Sequence, residues 1–257
     1  TYRWAGWSGT DAWRVYPTAT PAFVASNPRP ATPPTVNGNI KVVGMNVLNY
    51  FSTLGSAAQC GPAASLDCRG ASDAAEFTRQ RDKLFAEAAA LDADVIGMME
   101  MENTDGSTAI GNFVDGLNAV VGAGTYAYVA TGTIGTDAIR VALVYKPARL
   151  VTVGAPAILT SAVDPDFLDS KNRPSLAQTF QNAGNGRRFT LVVNHLKSKG
   201  SPCDDVGDPD LDDTDVDHSA AAAAARRSGW RQPLGGIRRA WRWSDPLCCV
   251  AATNCVV

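Results

Sequence analysis

The sequence predicts a mixed α/β sandwich, and three observations carry that reading. Short apolar, β-prone runs share the chain with segments of helical period. Several of the β runs follow one another at hairpin distance, which a purely parallel sheet would not show. Hydrophobic residues make up 45% of 257, enough for one sizeable core.

Residues 1–39 read as a connector. TYRWAGWSGTDAWRV carries aromatic residues without a sustained period, and the stretch 21–39 contains five prolines, which favours extended backbone. The segment is either the tail of an upstream domain followed by a linker or an arm packed on the core. The chain opens at Thr1 with no charged-then-apolar leader, as a mature, clipped or partial chain would. From Ile40, IKVVGMNV reads as a buried strand. Asp73 and Glu76 form a candidate capping pair for a helix running to about Leu91, with Phe77, Leu84, Ala88 and Leu91 at helical spacing. DVIGMM, at 94–99, reads as a second buried strand ending at Glu100. A helix over 107–118 gathers Ile110, Phe113, Val114 and Leu117 on one face. Shorter strands are predicted at 126–129, 141–145, 150–153, 177–180 and 189–193.

The last third changes character. Residues 204–217 hold eight Asp, Ala220–Ala225 is an unbroken alanine run, and a Trp/Arg/Cys-rich stretch follows. The net charge of −2 hides this shift: residues 1–225 carry 17 basic and 24 acidic groups (−7), whereas 226–257 carry six Arg and one Asp (+5). The organisation is therefore 1–39, 40–218 and a divergent 219–257. No run of 18 uncharged apolar residues exists, so no membrane-spanning helix and no membrane partner is expected, nor is an obligate protein partner. The six cysteines form no C-x-x-C pair, which weakens zinc and thioredoxin-like readings. Cys60 and Cys68 enclose a short Gly/Pro/Ala-rich loop and are either a disulfide of an exported protein or two buried thiols.

Polar residues at strand ends are the candidates for chemistry, because strands fix them and loops expose them. Asn46 stands in an otherwise apolar strand, as a ligand of a hard cation or a satisfied buried amide. Glu100 directly follows VIGMM, where a carboxylate is costly to bury without a metal or cationic partner. Glu102 would share its face if the strand ran on. His195 follows a strand in FTLVVNHLKSKG, beside Asn194, and imidazole suits proton transfer near neutral pH. Asp137 begins another strand and would orient an imidazole or simply form a turn. Arg173 would clamp a phosphate with its planar fork or sit in a surface ion pair. In the acidic loop, Asp208, Asp210 and Asp212 match the first ligands of a calcium loop. Asp213 and Ser219 then break the pattern, leaving a looser Ca²⁺ site or a solvated loop.

Five motifs in order then matter together: VVGMNVLNYF, TRQRDKLFAEAAALDADVIGMMEMEN, GTDAIRVALVYKP, SKNRPSLAQTF and FTLVVNHLKSKG with SPCDDVGDPD. This series, across roughly residues 13–212, resembles the endonuclease/exonuclease/phosphatase superfamily, and within it the branch of large secreted bacterial nucleases. The resemblance implies a four-layered α/β sandwich of two packed mixed sheets flanked by helices. It implies Mg²⁺ or Mn²⁺ at Asn46 and Glu100, catalytic roles for His195 and Asp137, and substrate contacts from Arg173 and Asn194. It implies hydrolysis of phosphodiester bonds in nucleic acid, DNA first, in a secreted or periplasmic setting, and it favours the Cys60–Cys68 disulfide. The superfamily's second half, a GDxN strand end, a later Asp and a terminal S-D-H, has no match here. Asp217–His218 precedes the place where GDxN should stand. The expectation is a frameshifted or divergent end and a chain inactive as it stands. The alternatives are another phosphoesterase of the same fold, or a secreted, non-catalytic module that binds calcium through the acidic loop.

Overall fold

A computed structural model describes residues 2–5, 12–15, 17–22, 24, 26, 30, 32–55, 57–104, 108–165 and 167–196. The acidic loop, Asp217–His218, Cys248, Cys249, Cys255 and the divergent end lie outside the described residues. The chain divides into two compact units, Thr1–Pro34 and Thr35 onward. In the first, β1 (Tyr2–Ala5) and β2 (Ala12–Val15) form an antiparallel hairpin with Tyr2 opposite Val15. This pairing is not legible in the sequence, since four-residue strands are too short to display a period.

The second unit is the predicted sandwich. One sheet has the order β3-β6-β8-β7, built from Val42–Tyr50, Val95–Glu102, Ile139–Tyr145 and Ala127–Tyr128. β3 and β6 are parallel, and β8 runs antiparallel to both β6 and β7. The other sheet, β11-β10-β9, is antiparallel throughout and spans Arg188–His195, Arg173–Asn182 and Leu150–Leu159. A small hairpin, β4 (Gln59–Cys60) with β5 (Leu66–Asp67), fills the β3–α1 connection.

The first sheet is buried on both faces. Its outer face packs on α1 (Ala74–Leu91) and α2 (Thr108–Val121) through Val43, Met45, Ile96, Met98, Phe85, Phe113 and Leu117. Its inner face meets the second sheet through Val95, Val141, Leu143, Leu176, Phe180 and Val193. Helices, sheet and sheet are three of the four expected layers. α1 starts where predicted: the Asp73 carboxylate accepts from Glu76 N at 2.8 Å, and Glu76 reaches back to the Ser72 N–H at 2.7 Å. The sheets approach closely at Gly97, where a Cβ would stand 2.8 Å from Val193 Cγ2. Only glycine lets β6 lie that near β11.

Candidate active site

The topology delivers five candidate side chains to one end of the sandwich. β3 and β6, being parallel, both end there. β8 and β10 begin there, and β11 ends opposite the start of β10, with His195 in register with Arg173.

Both parallel strands break their ladder at this end. The β3–β6 register slips between Asn46 and Tyr50, and the β6–β8 register slips between Met98 and Met101. Three non-glycine residues there take left-handed backbone: Leu48 (φ 52°), Asn49 (φ 49°) and Glu100 (φ 67°). Each such residue costs on the order of 1–3 kcal/mol and persists only where the surroundings enforce it. Here the enforcement is visible. Gln80 of α1 donates to the carbonyls of Val47 and Leu48 at 3.0 and 2.7 Å. The bulges aim main-chain donors inward: Leu48 N–H meets Asn46 Oδ1 at 2.8 Å, and Asn49 N–H meets Glu100 Oε2 at 3.1 Å. Asn46 Nδ2 then donates to Glu100 Oε1 at 2.8 Å.

His195 stands beside this carboxylate, with Nε2 at 3.8 Å from Glu100 Oε1, too long for a hydrogen bond. Its Nδ1 is buried with no hydrogen-bond partner. Burial, and after it the charge of Arg173, hold the imidazole below its ordinary pKa; Glu100 and Asp137 pull the other way without reversing the direction. The ring is therefore neutral near pH 7.

At Arg173, in register with His195, is a cationic cluster. The Asp137 carboxylate takes Arg173 Nε at 2.8 Å on one oxygen and Arg69 Nη2 on the other. Burial raises the Asp137 pKa, but Arg173, Arg69 and the Ala138 N–H outweigh it and leave the group lowered. Asp137 thus anchors two arginines, a role beside the two readings of it, as an orienter of an imidazole or a turn former. Asn194, exposed, accepts from Ser175 Oγ at 2.6 Å.

Glu102 does not join Glu100 in the site. It is fully buried and accepts from Ser52 N, Ser52 Oγ and Thr53 N at 2.7, 2.9 and 3.2 Å, fixing the loop after β3. Sequence reasoning missed three supporting residues. Gln80 braces the β3 bulge. Asn103, fully buried, holds the loop before β8 by donating to Ile134 O and Asp137 O and accepting from Ile134 N, all at 2.8–2.9 Å. Arg69 completes the Asp137 cluster. Gln80 could have been found, because it stands between Phe77 and Leu84 on the buried face of α1. Arg69 and Asn103 lie in irregular segments, where no period singles them out.

The donors at Glu100 fit a hydrated hard cation. Each carboxylate oxygen receives one N–H and so keeps a free lone pair, and Asn46 Oδ1 has a second one. Among the described residues no three His, Cys, Asp or Glu side chains gather into a metal cluster. Any ion would therefore rest on one carboxylate, an amide oxygen and water. A cleft of about 380 Å³ lies instead at the N-terminal end of β3, lined by Asn39, Lys41, Asp92, Asp94, Lys146 and Arg149 among others. There Lys146 pairs with Asp92 and Arg149 with Asp94, while Lys41 Nζ donates to the Leu91 carbonyl.

No family model and no curated protein matches this sequence. Solved structures do. The human Nocturnin catalytic domain with bound sulfate is 18% identical, with a TM-score of 0.39, over 62% of this chain and 50% of that one. An endonuclease/exonuclease/phosphatase family protein from Bacteroides thetaiotaomicron is 15% identical, with a TM-score of 0.40, over 62% and 52%. ANGEL2, a 2′,3′-cyclic phosphatase, is 15% identical, with a TM-score of 0.40, over 61% and 40%. The chain spans about half the length of these structures or less.

Proposed function

We propose that this chain carries the metal- and phosphate-handling part of a secreted phosphodiesterase acting on nucleic acid. One observation supports the reading above the others: His195 lies 3.8 Å from the Glu100 carboxylate and in register with Arg173, which shares Asp137 with Arg69. The carboxylate suits a divalent cation, the arginine pair suits an anionic substrate, and the imidazole is a group able to move a proton near both. The nucleic-acid part rests on the motif series that resembles the secreted nucleases.

In the mechanism, Glu100 and Asn46 would hold Mg²⁺ or Mn²⁺, which supplies charge neutralisation at a phosphoryl oxygen and a water of lowered pKa. Arg173 orients a phosphate through the guanidinium donors that Asp137 leaves free. His195 exchanges a proton at Nε2. Its lowered pKa keeps it in the base form near neutrality. Asn194 lies beside it as a further polar contact.

The test has two readouts on the full chain. Mn²⁺ should raise the Tm of the parent and shift Glu100→Gln much less, because a neutral amide replaces the one carboxylate ligand. The chain as it stands should cleave single-stranded or plasmid DNA no faster than Glu100→Gln. Mn²⁺ shifts of equal size in both proteins would overturn the metal assignment. Robust Mg²⁺-dependent cleavage that Glu100→Gln abolishes would uphold the activity and overturn the expectation of an incomplete site.

A further inference from the structure

Arg69 is not among the residues that the motif series or the strand-end logic selects, yet the structure spends several constraints on it. It follows Cys68, which is joined to Cys60 by a disulfide with Cα atoms 5.1 Å apart. The disulfide packs among Phe51, Ala138 and Ile139, so its anchor is the start of β8, immediately beside Asp137. The residue after Arg69 is Gly70, where a Cβ would lie 2.4 Å from Phe51 Cβ. Arg69 is thus gripped on both sides, by a covalent bridge before it and by a close backbone approach behind it. Its side chain meets Asp137 through Nη2 and is 41% exposed.

The charge balance gives this placement a purpose. Asp137 carries one negative charge and binds two guanidiniums, so the cluster has a net charge of +1 beside His195. Each arginine holds a different carboxylate oxygen, Arg69 on Oδ1 and Arg173 on Oδ2. A guanidinium has five donors, so both keep N–H groups to offer. A surface ion pair alone would need neither the second arginine nor the bridge that fixes it.

We propose that Arg69 is a second phosphate-contacting residue, which with Arg173 lets the site take a strand carrying more than one phosphate. This inference rests on the phosphodiesterase reading. Each phosphate contact on a single strand contributes about 0.7 to the slope of log K against log salt. A merely structural residue contributes nothing to that slope.

The experiment measures anisotropy of a fluorescein-labelled oligothymidylate with the full chain over a salt series, at matched Mg²⁺. Arg69→Gln keeps a donor for Asp137 but removes the charge; it should bind about tenfold more weakly at low salt, with the slope flattened by about 0.7. Arg69→Lys keeps the charge and should retain the parent slope. Parent binding with an unchanged slope in Arg69→Gln would overturn the inference and leave the phosphodiesterase reading standing. Equal flattening in Arg69→Lys would also overturn it, because the charge is still present. A parent that does not bind the strand at all would overturn the nucleic-acid reading and the inference with it.

Discussion

Asp137 shows how one carboxylate sets the electrostatics of the site. Its folded pKa lies below the ordinary value of 3.8, the arginines and an N–H outweighing burial. The stability it contributes is therefore fully present above about pH 4 and is lost as pH falls through the folded pKa. Urea unfolding of the parent between neutral pH and about pH 3 should show this loss, and Asp137→Asn should flatten that part of the profile. A profile unchanged by the substitution would mean that the two ion pairs contribute nothing to folding. The residue types of the site were legible in the sequence, since Asn46, Glu100 and His195 are polar groups that end or follow apolar runs. Their partners were not. Nothing in GTDAIRV tells that Asp137 will face Arg69, which lies 68 positions earlier, rather than an imidazole.

Elements were read well wherever burial is one-sided. α1 was predicted from its cap and its period, and it spans Ala74–Leu91. Removing the cap in Asp73→Ala should cost about 1 kcal/mol, measurable as a shift in urea midpoint at unchanged m. Several strands run longer than their pattern predicts, β9 to Leu159 and β10 from Arg173, beyond 150–153 and 177–180, whereas β7 is shorter than 126–129. The reason is physical. After Val153 the run is broken by Gly154 and Pro156, which read as breakers, and the register with β10 shifts there although the pairing continues to Leu159. The bulges at Leu48, Asn49 and Glu100 were invisible, because no glycine marks them. The β4–β5 hairpin depends on its bridge. Reduction, or Cys60→Ser with Cys68→Ser, should lower stability by roughly 2–3 kcal/mol in the chain-entropy model, read from denaturant unfolding. A loss near zero would show that the loop is held by packing alone.

At the scale of the whole molecule, the distance between the two sheets governs the distance between the halves of the site. Glu100 lies three residues after Gly97 in β6, and His195 lies two residues after Val193 in β11. The Gly97–Val193 contact is therefore one spacer close to the site. Gly97→Ala should wedge the sheets apart, costing about 1–3 kcal/mol by overpacking. Adding Val193→Ala should return much of that stability, as a double-mutant cycle would show. Additive losses would mean that the contact is not the point of closest fit. The sandwich as such was legible, because strand count, hairpin spacing and helix period all agreed. Which sheet face met which layer was not, since β6 and β8 are apolar on both sides.

The left-handed backbone at Leu48 also has a meaning for how this chain would change under selection. Its side chain is 73% exposed, so it gives little to the core, while its backbone angle suits glycine or asparagine. A library sorted for thermal resistance alone should therefore enrich glycine or asparagine at position 48 early, recovering about 1 kcal/mol of strain. The same library sorted for cation binding should resist that change. A freer turn would let the Leu48 and Asn49 N–H groups wander from Asn46 and Glu100. Divergence between the two sorted pools at this one exposed position would measure how far the fold trades durability for aim.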